Sequence, residues 1–258
     1  MRALTVFFVT LLTCNISHAA ELFASIDAIH GKATVTAVSG QPMDVSVGQK
    51  ISEGDTIKTA ADGEVHLVTQ DGGLIALRPN TEFRVDEYKA EGGSDDKTFM
   101  TLLTGALRSI TGWIGKRNPS GYSLKTPGAT IGIRGTDHET TVIVEEGGDK
   151  PGTYDTVIEG ATVLKTANGS TNVTPGSFAY APQGRAEAPR LLTSVPEYWT
   201  KRSLKIEDRI AQRKEFLRSH LEQMREDRRN QTRSGHAAHS EHPHERHEHQ
   251  NREHEHKT

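Results

Sequence analysis

The side chains best suited to chemistry lie at the carboxyl end. Eight of the 13 histidines fall between 236 and 258: His236, His239, His242, His244, His247, His249, His254 and His256. Their spacings of 2 to 5 residues let a flexible chain chelate in several alternative ways. Neutral imidazole suits Zn, Ni and Cu ions. Such a tail would bind without fixing geometry, and binding would weaken below pH ~6.5 as imidazoles protonate. Without metal it is a solvated tail whose positive charge grows in acid, partly offset by Glu241, Glu245, Glu248, Glu253 and Glu255.

A second polar group is the run Asp137-His138-Glu139. In a strand, alternation puts Asp137 and Glu139 on one face and His138 on the other, so convergence on one substrate is not expected. A second His four residues after the first, as a helical zinc site needs, is missing. Gly128, Gly132 and Gly135 lack phosphate-loop or dinucleotide spacing. Cys14 is the only cysteine and lies inside the export signal expected at 1–19, so a chain cleaved after Ala19 has neither a thiol nucleophile nor an intrachain disulfide. No catalytic residue is assigned. Asn168-Gly169-Ser170 and Asn172-Val173-Thr174 have the form of glycosylation acceptors, but read as turn residues.

These groups must be carried by the elements around them. From 24 to 182, short alternating segments such as Glu64-Val65-His66-Leu67-Val68 and Thr140-Thr141-Val142-Ile143-Val144 are separated by Asp62-Gly63, Asp71-Gly72, Gly92-Gly93, Gly147-Gly148 and Asn168-Gly169. That pattern predicts many short strands in an all-β sandwich, roll or solenoid. Thr98–Leu107 fits a strand or a short helix. A loose echo, with glycine opening an alternating segment at Gly31, Gly63 and Gly160, fits stacked β units or ordinary hairpins.

The ends differ. Arg2, the apolar run Ala3–Thr13 and the small residues Ser17 and Ala19 predict an export signal over 1–19. No apolar run is long enough to span a bilayer as a helix. From 196 to 230, Trp199, Ile206, Ile210, Leu217, Leu221 and Met224 fall on one narrow stripe, predicting an amphipathic helix, docked on the β region or paired as a coiled coil. Leu204 and Phe216 lie off the stripe. Residues 231–258 have no core-forming side chains and are expected to be disordered without a ligand. Net charge is −3 overall, which argues against a nucleic-acid binder driven by charge. It is uneven: −6 over 21–190 and +4 over 191–235.

An ordered series of short motifs runs through the β region: Glu53-Gly54-Asp55-Thr56-Ile57 with Thr59; Asp71-Gly72-Gly73 followed by Pro79-Asn80-Thr81; Leu103-Thr104-Gly105-Ala106-Leu107; Thr126-Pro127 with Gly128-Ala129-Thr130; Arg134-Gly135-Thr136; and Val157-Ile158-Glu159-Gly160-Ala161. In this order they resemble the FecR domain family over roughly 45–185. His138 stands where the family usually has an aromatic residue. The chain resembles stand-alone exported members, without the anti-sigma region and membrane helix of the sigma-factor regulators. Gly54, Asp55, Thr59, Asp71, Gly72, Gly105, Thr126, Pro127, Gly135, Thr136 and Gly160 read as shaping the scaffold, since turns and close backbone approaches favour such residues.

The expected organisation is a signal peptide at 1–19, a FecR-like β domain at 24–185, an amphipathic helix at 196–230 and a His-rich tail at 231–258. The expected role is a non-enzymatic, exported binding or envelope-signalling module, periplasmic or secreted. It would need no cofactor, and its partner would be an envelope protein, a polymer or a second copy. The alternative is divalent-metal binding or buffering by the tail. Nucleic acid is not expected as a partner, nor a transmembrane span in the mature chain.

Overall fold

The structure is a computed structural model describing residues 20–38, 40–216 and 219. The expected signal at 1–19 and the His-rich tail at 231–258 lie outside the described residues. The first nine strands are β1 (Leu22–His30), β2 (Ala33–Thr36), β3 (Met43–Asp44), β4 (Lys50–Ser52), β5 (Thr56–Thr59), β6 (Glu64–Thr69), β7 (Leu74–Leu77), β8 (Glu82–Lys89) and β9 (Lys97–Ile110). A short helix α1 (Trp113–Arg117) and a 3-10 turn (Pro119–Gly121) follow. Then come β10 (Tyr122–Lys125), β11 (Thr130–Ile133), β12 (Asp137–Ile143), β13 (Gly152–Glu159), β14 (Thr162–Thr166), β15 (Gly169–Val173), β16 (Phe178–Pro182), β17 (Arg190–Leu191) and α2 (Glu197–Lys201).

The strands form two sheets. In the first the order is β4-β1-β6-β7-β9-β12-β13-β16-β17, all antiparallel. In the second it is β3-β2-β5-β8-β9-β10-β11-β14-β15, with β9–β10 the parallel pair. The predicted all-β class is therefore realised as a sandwich, and the ambiguous Thr98–Leu107 segment lies within strand β9. That strand serves both sheets. Up to Thr104 it pairs with β8, and from Gly105 it pairs with β12. Gly105 makes the bend with φ +82°, and a Cβ there would sit 2.5 Å from the Asn80 carbonyl oxygen. Only glycine meets both demands at no steric cost.

Alternation places Val65, Leu67, Leu77, Leu107, Val142 and Val157 of the first sheet against Val35, Ile57, Phe83, Met100, Leu124 and Leu164 of the second, in one buried core. The glycine echo marks crossings between sheets rather than a stacked unit. Gly31 lies between β1 and β2, Gly63 between β5 and β6, and Gly160 between β13 and β14, each where the chain changes sheet. At Gly160 φ is +87° and a Cβ would meet the Gly135 carbonyl oxygen at 2.5 Å, so two crossing corners touch.

The single helix expected over 196–230 is not what forms. After α2 the chain is non-helical from 202 to 207, and helical turns resume at 208–210. Arg202 is extended, with φ −64° and ψ 141°. Long-range side-chain contacts, described below, hold 202–207 away from its helical pattern. Contacts divide the chain after Ile210. In the second unit 211–216 is helical, with Arg213 over the Phe216 ring and Ser219 donating to the Phe216 carbonyl at 2.9 Å. Leu217, Leu221 and Met224 lie outside the described residues. Among the described residues no helix is long and apolar enough to cross a membrane.

Candidate functional site beneath the carboxyl-terminal strap

The outer face of the first sheet is where polar side chains gather. Register sets His66, Ala76, Arg108, Glu139 and Thr156 in one row across β6, β7, β9, β12 and β13. An outer sheet face ordinarily meets water. Here Glu64, His66, Asp137 and Glu139 are each no more than 2% exposed, because residues 197–210 cross over them as a strap.

The strap is held by charge and by aromatic contact. Arg78 donates through Nε and Nη2 to Glu139 Oε2 at 3.3 and 2.7 Å, and through Nη1 to Glu207 Oε2 at 2.6 Å. Arg108 grips Asp137 with both Nε and Nη2 at 2.8 Å and reaches Glu207 Oε1 at 2.7 Å. Arg202 donates to the remaining Glu139 oxygen at 2.7 Å. The Glu64 carboxylate accepts the backbone N–H groups of Lys205 and Ile206 at 2.6 and 3.4 Å. The Asp149 carboxylate accepts those of Glu197 and Tyr198 at 3.1 and 2.6 Å, capping α2. Tyr198 packs edge-on to Tyr154, Trp199 edge-on to Phe178, and Arg202 lies over the Trp199 ring.

The electrostatics follow from this pairing. Burial opposes the Arg78 charge, yet Glu139 and Glu207 outweigh it and raise its pKa. Burial likewise pushes the Glu207 carboxyl up, but Arg78 and Arg108 pull it further down, below the usual range. His66 has no such support. Desolvation first, then the Arg78 charge, lowers its pKa to about 4, and neither ring nitrogen has a hydrogen-bond partner among the described residues. It is therefore neutral at pH 7.

The Asp137-His138-Glu139 run is split as alternation predicts. Asp137 and Glu139 face the strap, while His138 points into the core. There its Nδ1 lies 3.0 Å from Asp155 Oδ1, and both side chains are fully buried. Asp155 also accepts the hydroxyls of Thr140, at 2.8 Å, and Thr162. The three do not converge, and each is engaged by a different partner.

The scaffold motif residues sit at corners. Gly54 (φ +86°) donates to the Val85 carbonyl, and Asp55 accepts the Ser52 N–H at 2.9 Å. Thr59 bonds the Arg78 carbonyl at 2.6 Å and accepts the Thr81 N–H at 2.8 Å. Asp71, beside Gly72 in the β6–β7 turn, accepts the Thr69 hydroxyl and the Ile114 N–H and receives the Trp113 N–H on its carbonyl. It thereby ties that turn to α1, and burial raises its carboxyl pKa. The Thr126 hydroxyl, ahead of Pro127, accepts the Ala129 N–H at 3.0 Å. Thr136, after Gly135, donates its N–H to the Thr111 hydroxyl at 2.8 Å and accepts the Thr111 N–H on its carbonyl at 2.9 Å. The eight histidines lie outside the described residues, and no group of three or more His, Cys, Asp or Glu suited to a metal occurs among the residues that are described. Arg78, Arg108, Glu64 and His66 were not expected at a site. In sequence each reads as an ordinary solvent-facing member of an alternating strand.

Beside the ion pairs a groove of about 760 Å³ opens. Pro79, Ala106, Ile143 and Leu204 supply apolar wall, Arg78, Glu139 and Arg202 line it beside them, and Glu145 stands on the lining. Leu204, off the expected helical stripe, finds its place here because the strap is extended at this point.

Residues 55–163 match the family described as FecR protein. Two crystal structures of a protein assigned as an anti-sigma factor from Parabacteroides distasonis ATCC 8503 share 14% identity with this chain, each with a TM-score of 0.43. Each match covers 56% of this chain and 62% of the other, so the chain spans less than two thirds of their length. A cell surface anchoring domain shares 24% identity over 24% of this chain and 82% of its own, with a TM-score of 0.23. No curated protein matches.

Proposed function

We propose, from the FecR domain that this chain carries over residues 55–163, that the protein is a non-enzymatic binding module of an exported signalling or regulatory system, engaging its partner at the strap groove. The domain match supports the regulatory class. The observation that carries the binding reading is how the site's charges are used. The arginines and carboxylates of the sheet face and of the strap pair with one another at 2.6–3.3 Å. Fixed ion pairs position a surface rather than move protons through a reaction. The groove beside them has the size and the mainly apolar wall of a recognition site. Export, with removal of 1–19 into the periplasm or beyond, belongs to the same reading.

A photo-crosslinking amino acid at exposed Val144, with one at exposed Lys125 as control, tests it in the producing cell's envelope. The expected result is a discrete adduct from Val144 and none from Lys125. No adduct, or equal smears from both, removes the reading.

A second reading rests on His236, His239, His242, His244, His247, His249, His254 and His256. So many imidazoles at short spacing favour divalent-metal binding by the tail, with Zn, Ni or Cu as the fitting ions. It would operate alongside the groove.

A further inference from the structure

His66 lies beneath the strap as a buried base with nothing to bond. It is 1% exposed, and neither ring nitrogen has a hydrogen-bond partner among the described residues. It stands on an outer sheet face, which water would reach if the strap were elsewhere. Charged groups surround it. β1 brings Asp27 and, opposite Glu64 in register, the exposed His30. Arg78 follows β7, and Arg108 and Glu139 lie further along the same row. The strap adds Glu207 and Arg209. Arg78 and Arg209 repel an added proton while Glu207 and Asp27 attract it, yet none of them bonds the ring. A charged imidazole left unbonded in the interior is costly. Water is the partner that remains, and it reaches the ring when the strap lifts.

The strap can lift at small cost. From Glu197 to Arg209 every residue is half-buried or exposed, and the buried ones, Pro196 and Ile210, stand at its ends. Over 202–207 its hold is mainly polar: Arg202 on Glu139, two backbone N–H groups on Glu64, and Glu207 between Arg78 and Arg108. When that segment leaves, Arg78 keeps Glu139 and Arg108 keeps Asp137. Neither sheet arginine is stranded without a carboxylate, the loss that makes broken buried pairs expensive. Glu207 and Arg202 pass into water.

We infer that residues 202–207 are an acid-released latch: a proton taken up by His66 lifts this segment from the sheet, and the groove loses the wall that Arg202, Ser203 and Leu204 give it. The latch goes beyond the partner reading and does not depend on it, since acid dismantles the groove whatever the groove binds. Its direction follows from linkage. His66 titrates at about 4 with the strap down and at its ordinary 6.5 once solvated, so the lifted form gains as pH falls through that window. Between pH 7.5 and 5 its population rises roughly thirtyfold. Burial opposes the Glu207 charge, but Arg78 and Arg108 outweigh it and keep this carboxylate ionised over that range. The trigger is therefore the imidazole.

Amide hydrogen exchange on the full chain reads the latch, because Glu64 accepts the N–H groups of Lys205 and Ile206 when it is closed. Corrected for its intrinsic pH dependence, exchange at these two amides should quicken roughly thirtyfold from pH 7.5 to 5. The amides of the β9–β12 ladder should stay protected. His66→Leu and His66→Gln, two uncharged replacements of different polarity, should each abolish the rise, and His30→Gln should keep it. A cooperative thermal melt qualifies each variant, and either His66 variant suffices. Equal corrected exchange at the two pH values overturns the inference. So does a rise that survives in a folded His66 variant, or one that the β9–β12 amides share, which is global unfolding. Absence of the Val144 adduct in the envelope removes the partner reading and leaves the latch to be decided by exchange.

Discussion

Arg78 and Glu139, 61 residues apart in sequence, meet through two nitrogens on one carboxylate oxygen with both side chains almost wholly buried. The other Glu139 oxygen takes Arg202 from the strap. One carboxylate thus joins the β7 end, the middle of β12 and the crossing segment.

Removing that carboxylate takes from the buried Arg78 one of its two paired carboxylates, leaving Glu207. Glu139→Ala should cost about 3–5 kcal/mol, because Arg78 keeps its desolvation penalty without this partner. Arg202→Ala, at the strap's more exposed edge, should cost only about 1 kcal/mol. Urea unfolding midpoints of the two variants give the comparison, and equal losses would show that the strap pair matters as much as the buried one.

His66 makes stability pH-dependent. Its folded pKa is about 4 against 6.5 unfolded, so between those values the unfolded chain binds a proton that the folded chain does not. Stability is then full above pH 6.5 and declines as pH falls toward about 4, by roughly 3 kcal/mol. The charges around it are Arg78, Glu207, Asp27 and Arg209. Glu207, with its folded pKa depressed, acts in a lower window, losing its contribution below the ordinary carboxylate pKa of ~4.3. Denaturant titrations at pH 7 and 5 should show the decline in the natural chain and a much flatter response in His66→Leu.

Two glycines of similar φ separate backbone strain from collision. Gly48 has φ +83° and open space where a Cβ would go, whereas Gly105 has φ +82° and the Asn80 carbonyl 2.5 Å away. Gly48→Ala should cost about 1 kcal/mol, from the left-handed backbone alone. Gly105→Ala should cost at least about 3 kcal/mol, since the bend of β9 must also shift. Thermal melts of the pair decide whether the collision is real.

The tail can be isolated by subtraction. Calorimetric titration with zinc at pH 7.5 should show binding by the full chain and a large loss in a chain ending at residue 230. Lowering the pH to 5.5 should weaken the full chain's binding as imidazoles protonate. Equal affinity with and without the tail would remove the metal reading.

Much of this was legible from local rules. Alternation separated His138 from Asp137 and Glu139, and turn glycines divided the chain into short strands; that Gly31, Gly63 and Gly160 stand where the chain changes sheet is seen only in the fold. The strap was not legible, because its backbone course is set by contacts such as Glu64 with Lys205, 141 residues away. A helical stripe over 196–230 is a local signal, and it yields where such partners hold the chain extended. Nor could sequence show that β9 belongs to two sheets, since an alternating run looks the same whether it keeps one neighbour or changes partners midway. Glu64 and His66 were hidden for a related reason: in a strand, an outward residue looks alike under water and under a covering segment.

The shared strand has a bearing on heredity as well as on stability. β6 needs β1 beside it and β13 needs β16, yet β1 and β16 lie outside residues 55–163, the stretch that the family match covers. A gene fusion that transplanted only that stretch would deliver raw margins on both flanks and a sticky fragment. What natural selection must pass on intact is longer than what sequence kinship can detect.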